Sequence, residues 1–156
     1  MKRIATAGAV ASFVVVMVGN LIANAGPQVQ TIRAISHTMN LGGVDADDSG
    51  EVGDTIADAF TSISDMRDEA DETVIGFDRF TCSMTSAEPA TWHCYGTTTF
   101  NGAGDITYQG SFNPNGKSVL AITGGTGDYE GAGGWVVFKP LSGDDFPYGG
   151  VYHVLP

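Results

Sequence analysis

The chain has 156 residues, which is enough for one domain, and no internal repeat is visible along it. Its seven basic and 18 acidic side chains give a formal net charge of −11, and such a surface repels phosphate backbones and anionic lipids. The charge therefore argues strongly against a nucleic-acid-binding protein. The 22 glycines, with many threonines and valines, are typical of a turn-rich β protein rather than a helical bundle.

The first 25 residues have the three parts of a secretory signal peptide. A basic start (1–3) precedes an apolar run (4–18) and a small-residue cleavage site at Ala23-Asn-Ala25. We predict cleavage after Ala25, which leaves one exported domain, residues 26–156, with a net charge of −13 and no contact with a membrane. An uncleaved membrane anchor is the alternative, but Asn20 keeps the apolar run shorter than the roughly 20 residues that span a bilayer comfortably.

Eight short segments in chain order have strand character, with β-branched and aromatic residues between turn signals such as 101–104 and 113–116. Eight antiparallel strands at this spacing predict an all-β, up-and-down barrel, a shape that removes every sheet edge. A barrel of this size has an interior just large enough for side chains and one small ligand. The predicted strands are residues 29–40, 55–64, 73–84, 92–100, 105–112, 117–123, 133–139 and 148–155.

Two acidic segments interrupt the pattern. Asp45, Asp47, Ser49 and Gly50 copy the first half of a calcium-binding loop. The twelfth position of that loop requires a bidentate carboxylate but is Ile56, so we interpret the segment as a solvated acidic loop. Residues 65–72 carry one basic side chain among five acidic ones and are expected to form a solvated hairpin or a frayed helical turn.

The sequence contains no motif for metal-based or nucleophilic catalysis. His37, His93 and His153 fall on three different predicted strands, without the close spacing of a metal-ligand motif. No serine lies in the G-x-S-x-G turn of hydrolases. We therefore predict neither a metal nor a cofactor.

Cys82 and Cys94 are the only cysteines, and an even number in an exported chain argues for a disulfide. They flank Glu88-Pro89, a good turn centre, so they can lie opposite each other on neighbouring antiparallel strands. Such a bridge selects one face of each strand, because side chains alternate between the two faces. The selected faces carry Asp78, Phe80, Cys82 and Met84 on the third strand, and Trp92, Cys94, Thr98 and Phe100 on the fourth.

Residues 121–135 contain six glycines between two strand-forming runs. Glycine allows the backbone to turn with positive φ or to approach other backbone closely, so the stretch predicts a strand, a tight corner and a second strand. A phosphate-binding loop would need its glycines to open a helix, but residues 135–138 are strand formers.

The same region carries a family resemblance. The sequences GDITYQG (104–110) and LAITGGTGDYEGA (120–132) resemble the central signature of the allene oxide cyclase barrel family, which is similar in fold to plant dirigent proteins. With matching separations at 52–54, Gly76 and Cys82, the resemblance covers about residues 36–155, and Trp92-His-Cys94 looks most like the small secreted bacterial members. It implies an eight-stranded barrel and a cyclase or isomerase without a cofactor. Plant members of the family are trimers, so the resemblance also suggests a homo-oligomer.

The polar residues of the family match only in part. Asn40 matches, as does Cys82, whose counterpart in the plant cyclases lines the cavity, so a reactive thiol is the alternative to the disulfide. The resemblance therefore implies the fold more strongly than it implies allene oxide cyclisation itself. Where the family has glutamate, asparagine, tyrosine and arginine, this chain has Thr38, Ser62, Val119 and Gly133.

Asp78 is the predicted catalytic residue. If the face that carries Cys82 lines the lumen, burial would raise the pKa of Asp78 and allow it to act as an acid or base. A salt bridge to a neighbouring strand, or an outward orientation, are the alternatives. The expected lining of the cavity is largely apolar and aromatic and suits a hydrophobic small molecule. It consists of Asn40, Phe80, Met84, Trp92, Phe100, Tyr108 and Trp135.

Three functions fit this barrel. We predict an enzyme that binds a hydrophobic small molecule and steers its cyclisation or isomerisation through orientation and exclusion of water. The alternatives are an exported carrier that leaves its apolar ligand unchanged, and a structural barrel filled by its own side chains. A filled interior would exclude the first two, an entirely apolar lumen would favour the carrier, and a lumen that holds Asp78 would favour the enzyme.

Overall fold

The computed structural model describes residues 28–52, 55–143 and 147–156, so the predicted signal peptide lies outside the described residues. The described strands form one closed antiparallel barrel in which each strand pairs with its neighbours in sequence and the first pairs with the last. This confirms the predicted eight-stranded barrel. In the described ranges no helix is both long and apolar enough to cross a membrane. The strands are β1 (Gln30–Val44), β2 (Ala59–Arg67), β3 (Val74–Ala87), β4 (Ala90–Phe100), β5 (Gly104–Phe112), β6 (Ser118–Gly125), β7 (Gly133–Pro140) and β8 (Tyr148–Leu155).

The second strand begins later than the sequence predicts, at Ala59 rather than at residue 55. The buried carboxylate of Asp58 accepts hydrogen bonds from the backbone N–H groups of Ala46 (2.8 Å) and Thr55 (3.2 Å), which holds the preceding residues in a turn. At its other end β2 continues to Arg67 and pairs with β3, so the first part of the predicted acidic turn is strand. Cross-strand pairing has overridden the local charge pattern here.

The glycine-rich stretch forms a corner between β6 and β7, as predicted, with a short 3₁₀ helix at Gly127–Tyr129. Gly127 has φ +62°, and a Cβ on it would collide with the carbonyl oxygen of Ala103. The N–H of Asp128 donates to that same oxygen at 2.8 Å. The corner therefore folds tightly over one end of the barrel and buries the ring of Tyr129 there.

The disulfide between Cys82 and Cys94 is present, which confirms the predicted bridge. The two residues are directly opposite on β3 and β4, with Cα atoms 4.1 Å apart, and both are buried. The bridge closes a short loop and is expected to stabilise the fold by about 2–4 kcal/mol. It also fixes the inward faces of both strands as predicted, because Asp78, Met84 and Trp92 are buried on the same side.

The interior has two unlike halves. The half beneath the 3₁₀ helix, which we call the closed half, is filled by apolar side chains and by the Phe100 ring, which packs between Tyr129 (5.8 Å between centroids) and Tyr152 (5.5 Å). The other half, the open half, lies where β1, β3 and β5 end, and it contains a cavity. The closed half consists mainly of Met66, Phe100, Ile106, Tyr129, Val136, Tyr152 and Val154.

Candidate active site

The open half of the barrel holds an outer cavity of about 420 Å³, and a smaller inner pocket of about 20 Å³ lies next to it, deeper in the barrel. The two share Thr38, Phe80, Phe112 and Tyr148 in their linings. The outer cavity falls in the size range of small-molecule sites, whereas the inner pocket has room for roughly one water molecule. A ligand body therefore fits the outer cavity, and only a single small group fits beyond it.

Aromatic side chains line one side of the outer cavity. The ring of Trp92 lies 4.9 Å from that of Phe60, which lies 5.8 Å from Phe80. The series continues from Phe80 to Phe112 (6.2 Å) and from Phe112 to Tyr148 (5.7 Å). We call these five residues the aromatic arc. It offers a ligand a continuous apolar surface with both ring faces and ring edges available for packing.

Hydroxyl groups line the part of the lumen formed by β1 and β2, next to Phe60 and Tyr148 of the arc. Ser36, Thr38 and Ser64 border the inner pocket, and Ser62 borders the outer cavity. Thr38 pairs with Ser64 across the two strands, and the Oγ atoms of Ser62 and Ser64 lie 3.4 Å apart. We call these four residues the hydroxyl wall. Between Ser62 and Ser64, Ile63 points outward and is 40% exposed, so the usual apolar-in, polar-out alternation is reversed in the middle of β2.

Asp78 lies at the floor of the site, where it borders the inner pocket and is only 1% exposed. It sits on β3 directly opposite Ser64 on β2 and Thr98 on β4. Burial raises the pKa of this carboxyl from 3.8 to about 6, although hydrogen bonds from Thr98 and Tyr108 and the charge of Arg79 oppose the shift. The group therefore has a pKa closer to neutral pH than an ordinary aspartate, which suits a general acid or base.

A hydrogen-bond network holds the Asp78 carboxylate in place. The Thr98 hydroxyl donates to Oδ1 at 2.6 Å, and the Tyr108 hydroxyl contacts Oδ1 at 3.0 Å and Oδ2 at 2.8 Å. Thr98 Oγ1 also lies 2.7 Å from the Tyr152 hydroxyl, so Tyr152 donates to Thr98 when Thr98 donates to Asp78. Burial, together with the charge on Asp78, raises the pKa of both tyrosines well above 10, so both remain protonated donors.

The lack of a side chain at Gly96 leaves room for the Tyr108 hydroxyl to reach Asp78. Tyr108 on β5 is paired with Gly96 on β4, and its side chain crosses β4 to reach Asp78 on β3. A Cβ at position 96 would lie 2.5 Å from the Tyr108 hydroxyl oxygen and 2.8 Å from the Phe80 Cβ. The missing side chain on the inward face of β4 is thus the space that the tyrosine occupies.

Four of the predicted site residues line the lumen together: Asp78, Phe80, Trp92 and Tyr108. Met84 and Phe100 do not line either pocket. Met84 is 2% exposed and is paired with Trp92, and Phe100 packs in the closed half. Both are core residues in this structure.

Asn40 and Trp135 lie outside the barrel, so the expectation that they line the lumen is corrected. Asn40 is exposed and follows a register shift between Thr38 and itself, which takes it off the inward face of β1. Trp135 is 39% exposed and stacks on His153 with 4.8 Å between ring centroids. Its neighbour Val136 is fully buried, and alternation along β7 therefore directs Trp135 outward.

Sequence reasoning missed the hydroxyl wall and three of the five residues of the aromatic arc. Ser62 and Ser64 are two residues apart, as are Ser36 and Thr38, so each pair shares one face of its strand. That spacing was the available signal, but a polar face normally faces solvent. Two of the four, Thr38 and Ser62, stand where the resembled family carries glutamate and asparagine. The arc residues that were not predicted are Phe60, Phe112 and Tyr148.

Metal ligands do not converge in the part of the chain that the structure describes, where no three His, Cys, Asp or Glu side chains are placed to hold an ion. His37 contacts Asp71 at 2.7 Å, and His153 stacks on the outside of the barrel. In the acidic loop, Asp45 and Asp47 accept hydrogen bonds from nearby backbone N–H groups. The carboxylates of Asp45 and Asp47 thus help to hold the turns of this loop.

No family model matches the chain, and no curated protein matches it. Among solved structures, a pyocyanin demethylase is similar with a TM-score of 0.65 and 20% identity over 79% of this chain and 100% of that one. A pterocarpan synthase dirigent protein reaches a TM-score of 0.69 at 16% identity and covers 93% of this chain and 98% of its own. A Diels–Alderase from Streptomyces koyangensis has a TM-score of 0.65 and 18% identity over 82% of this chain and 63% of that one. The chain therefore has the barrel fold found in dirigent proteins and in cycloaddition cyclases.

Proposed function

We propose that the barrel binds an apolar small molecule in the outer cavity and steers its cyclisation or isomerisation, with Asp78 as the acid or base. One observation carries this proposal: an open, mostly apolar cavity ends at a buried carboxyl whose pKa lies near neutrality. An interior filled by its own side chains would have no room for a ligand, and this one has about 420 Å³.

The buried carboxyl supports an enzyme rather than a carrier. A carrier of apolar molecules needs only an apolar lumen, and an ionised group in that lumen costs stability. Asp78 nevertheless borders the inner pocket, and its oxygens are held by Thr98 and Tyr108. Fixed hydrogen bonds of this kind orient a carboxyl toward a reacting atom and keep it there.

The chemistry requires no oxidant, reductant or cofactor. In an isomerisation, the protonated carboxyl donates its proton to one atom of the ligand, and the resulting carboxylate accepts a proton from another atom. The enzyme then regains its initial protonation state. In a cyclisation, the aromatic arc folds the ligand against the hydroxyl wall and excludes water, so that orientation supplies most of the rate enhancement.

The proposed site of action is outside the cytoplasm. The buried disulfide between Cys82 and Cys94 supports this, because such bonds persist in oxidising compartments, and the predicted signal segment points to the same place. The homo-oligomer suggested by the family resemblance is likewise a proposal.

Native mass spectrometry of the protein purified from its natural source tests ligand binding, because a ligand retained in the lumen adds its mass to the folded protein. The released ligand is then incubated with the wild-type protein and with Asp78→Asn, and products are followed by liquid chromatography. We expect conversion by the wild type and by an Asp48→Asn control, which alters an exposed loop acid, and at least about a hundredfold slower conversion by Asp78→Asn.

Equal rates for all three proteins would remove Asp78 from the mechanism. If a ligand is bound but neither the wild type nor a variant converts it, the result would favour the carrier. The aromatic arc alone is sufficient for that function. A protein that retains no small molecule and binds none of the aromatic probes described below would contradict ligand binding itself.

A further inference from the structure

We propose that the lumen selects uncharged or cationic ligands with an aromatic body and a hydrogen-bonding edge, and that it rejects carboxylates. This inference rests on the proposed function, since it names the ligand class of the same cavity. It follows from which charged groups face the cavity and from how the two walls differ.

Basic side chains are absent from the lining of both the outer cavity and the inner pocket, as far as the described residues go. Among the residues that the structure describes, Asp78 is the one carboxyl in that lining. The nearest base in sequence, Arg79, is exposed on the outward face of β3 and borders a groove on the outside of the barrel. A carboxylate inside the lumen would therefore find no cation to pair with.

An anionic ligand would meet two unfavourable conditions. It would lose its hydration on entering an apolar cavity, and an anion without a paired cation is strongly disfavoured there. It would also lie close to Asp78, so that the two like charges repel and one group must take up a proton. The formal net charge of −11 adds a repulsive field outside the barrel.

Cationic and neutral aromatic ligands, in contrast, find favourable contacts in the lumen. The faces of aromatic rings attract cations, most strongly in tryptophan, and Trp92 is the tryptophan of the aromatic arc. The ionised Asp78 adds a favourable charge deeper in the barrel. For a neutral ligand, Ser62 and Thr38 can donate hydrogen bonds to a carbonyl or hydroxyl on the edge that faces β1 and β2.

The two walls also set the orientation of a flat ligand. The aromatic arc offers apolar contact to the ring system, and the hydroxyl wall offers hydrogen bonds only on the part of the lumen formed by β1 and β2, so a ligand with polar groups on one edge is matched best with that edge toward β1 and β2. A long flexible chain gains less from this arrangement, because it must lose more conformational freedom to fill the cavity.

Isothermal titration calorimetry at pH 7.5 with three probes of similar two-ring size tests the inference. The probes are 2-acetylnaphthalene, which is neutral, N-methylquinolinium, which is cationic, and 2-naphthoate, which is anionic. We expect the first two to bind and 2-naphthoate to bind about tenfold or more weakly. In Asp78→Asn, we expect 2-naphthoate to bind several-fold more tightly than to the wild type, and N-methylquinolinium to bind more weakly.

Three substitutions test whether the probes bind inside the lumen. Ser62→Phe and, independently, Thr38→Phe fill the cavity and should abolish binding of all probes, whereas Ile63→Phe, the outward neighbour of Ser62, should leave it unchanged. Each variant is first checked for a cooperative thermal transition. If 2-naphthoate binds as tightly as 2-acetylnaphthalene and Ser62→Phe abolishes both, charge selection is wrong while lumen binding stands. If no probe binds, or binding survives both filling variants, this inference fails. The proposed function fails with it only if the protein purified from its natural source also retains no small molecule.

Discussion

The closed and open halves of the barrel are built from the same strands but have opposite chemistry. In the closed half, Met66, Ile106 and Val136 are completely buried and fill the space between the strands. In the open half, the same inward face of β2 carries Ser62 and Ser64, and a cavity of about 420 Å³ remains. The residue between the two serines is an isoleucine, which points outward and therefore does not fill the cavity.

This difference supports the proposed function, in which the closed half stabilises the fold and the open half binds the ligand. Close packing of apolar side chains stabilises a fold, whereas polar inward faces and empty volume sacrifice packing energy. Natural proteins depart from consistent patterning mainly at functional sites. The network of Asp78, Thr98 and Tyr152 lies at the boundary, because Tyr152 also packs against Phe100 in the closed half.

Substitution of one phenylalanine in each half tests the difference between the closed and open halves most directly. Phe100→Ala leaves a void in the closed half and should lower the free energy of unfolding by about 3–5 kcal/mol. Phe80→Ala enlarges a cavity that already exists, so we expect no more than about half of that loss. Urea denaturation of both variants measures the difference. Equal losses would show that the open half stabilises the fold as much as the closed half does.

Removal of the disulfide should have the next largest effect. The double substitution Cys82→Ala and Cys94→Ala releases the β3–β4 hairpin, and we expect a loss of about 2–4 kcal/mol. The wild type treated with a reductant that opens the bridge should approach the stability of the variant, while the variant itself should not respond. A double variant as stable as the oxidised protein would mean that sheet pairing alone fixes these strands.

Asp78→Asn should raise stability at neutral pH by up to about 3 kcal/mol. The folded-state pKa is about 6 and the unfolded value is 3.8, so between these values the folded state binds more protons than the unfolded state. Stability therefore falls as pH rises through this window, and the cost of the buried charge is fully present above pH 6.

Urea denaturation at pH 3.5 and pH 7.5 measures this effect, with Asp48→Asn as a control at an exposed loop position. The gain for Asp78→Asn should be present at pH 7.5 and largely disappear at pH 3.5, where the carboxyl is protonated in both states. A variant that is less stable than the wild type at pH 7.5 would show that the hydrogen bonds from Thr98 and Tyr108 outweigh the desolvation of the carboxylate.

Local patterns in the sequence predict most of this fold. Turn residues and β-branched runs placed eight strands within a few residues of their bounds, and the cysteine pair fixed the inward faces of β3 and β4. Asp78 could be placed in the lumen for the same reason. The start of β2 was predicted too early because the turn before it depends on Asp58, whose carboxylate reaches across the loop to Ala46.

The rest of the site depends on properties that a local pattern does not contain. Trp135 is one of the aromatic residues predicted to line the lumen, but Val136 is the residue of β7 that points inward, so Trp135 points outward. The serines of β2 face inward only because the register with β3 places Ser64 opposite Asp78. Strand register is a tertiary property, and a shift of one residue would move every one of these side chains to the other face.

The smallest predicted effect tests how the hydrogen bond from Tyr108 changes the pKa of Asp78. Tyr108→Phe keeps the ring and removes a hydroxyl that donates to the carboxylate, so the pKa of Asp78 should rise above about 6. Gly96→Ala should produce the same direction of change without altering Tyr108, because the new methyl group occupies the space of the tyrosine hydroxyl. Carboxyl carbon chemical shifts followed by NMR titration report the pKa in each variant. Gly42→Ala, at the rim of the outer cavity, is the matched control and should leave the titration unchanged. If Tyr108→Phe shifts the pKa and Gly96→Ala does not, then the vacancy at position 96 is not what allows the tyrosine to reach Asp78, and the contact depends on the pairing of β4 with β5 alone.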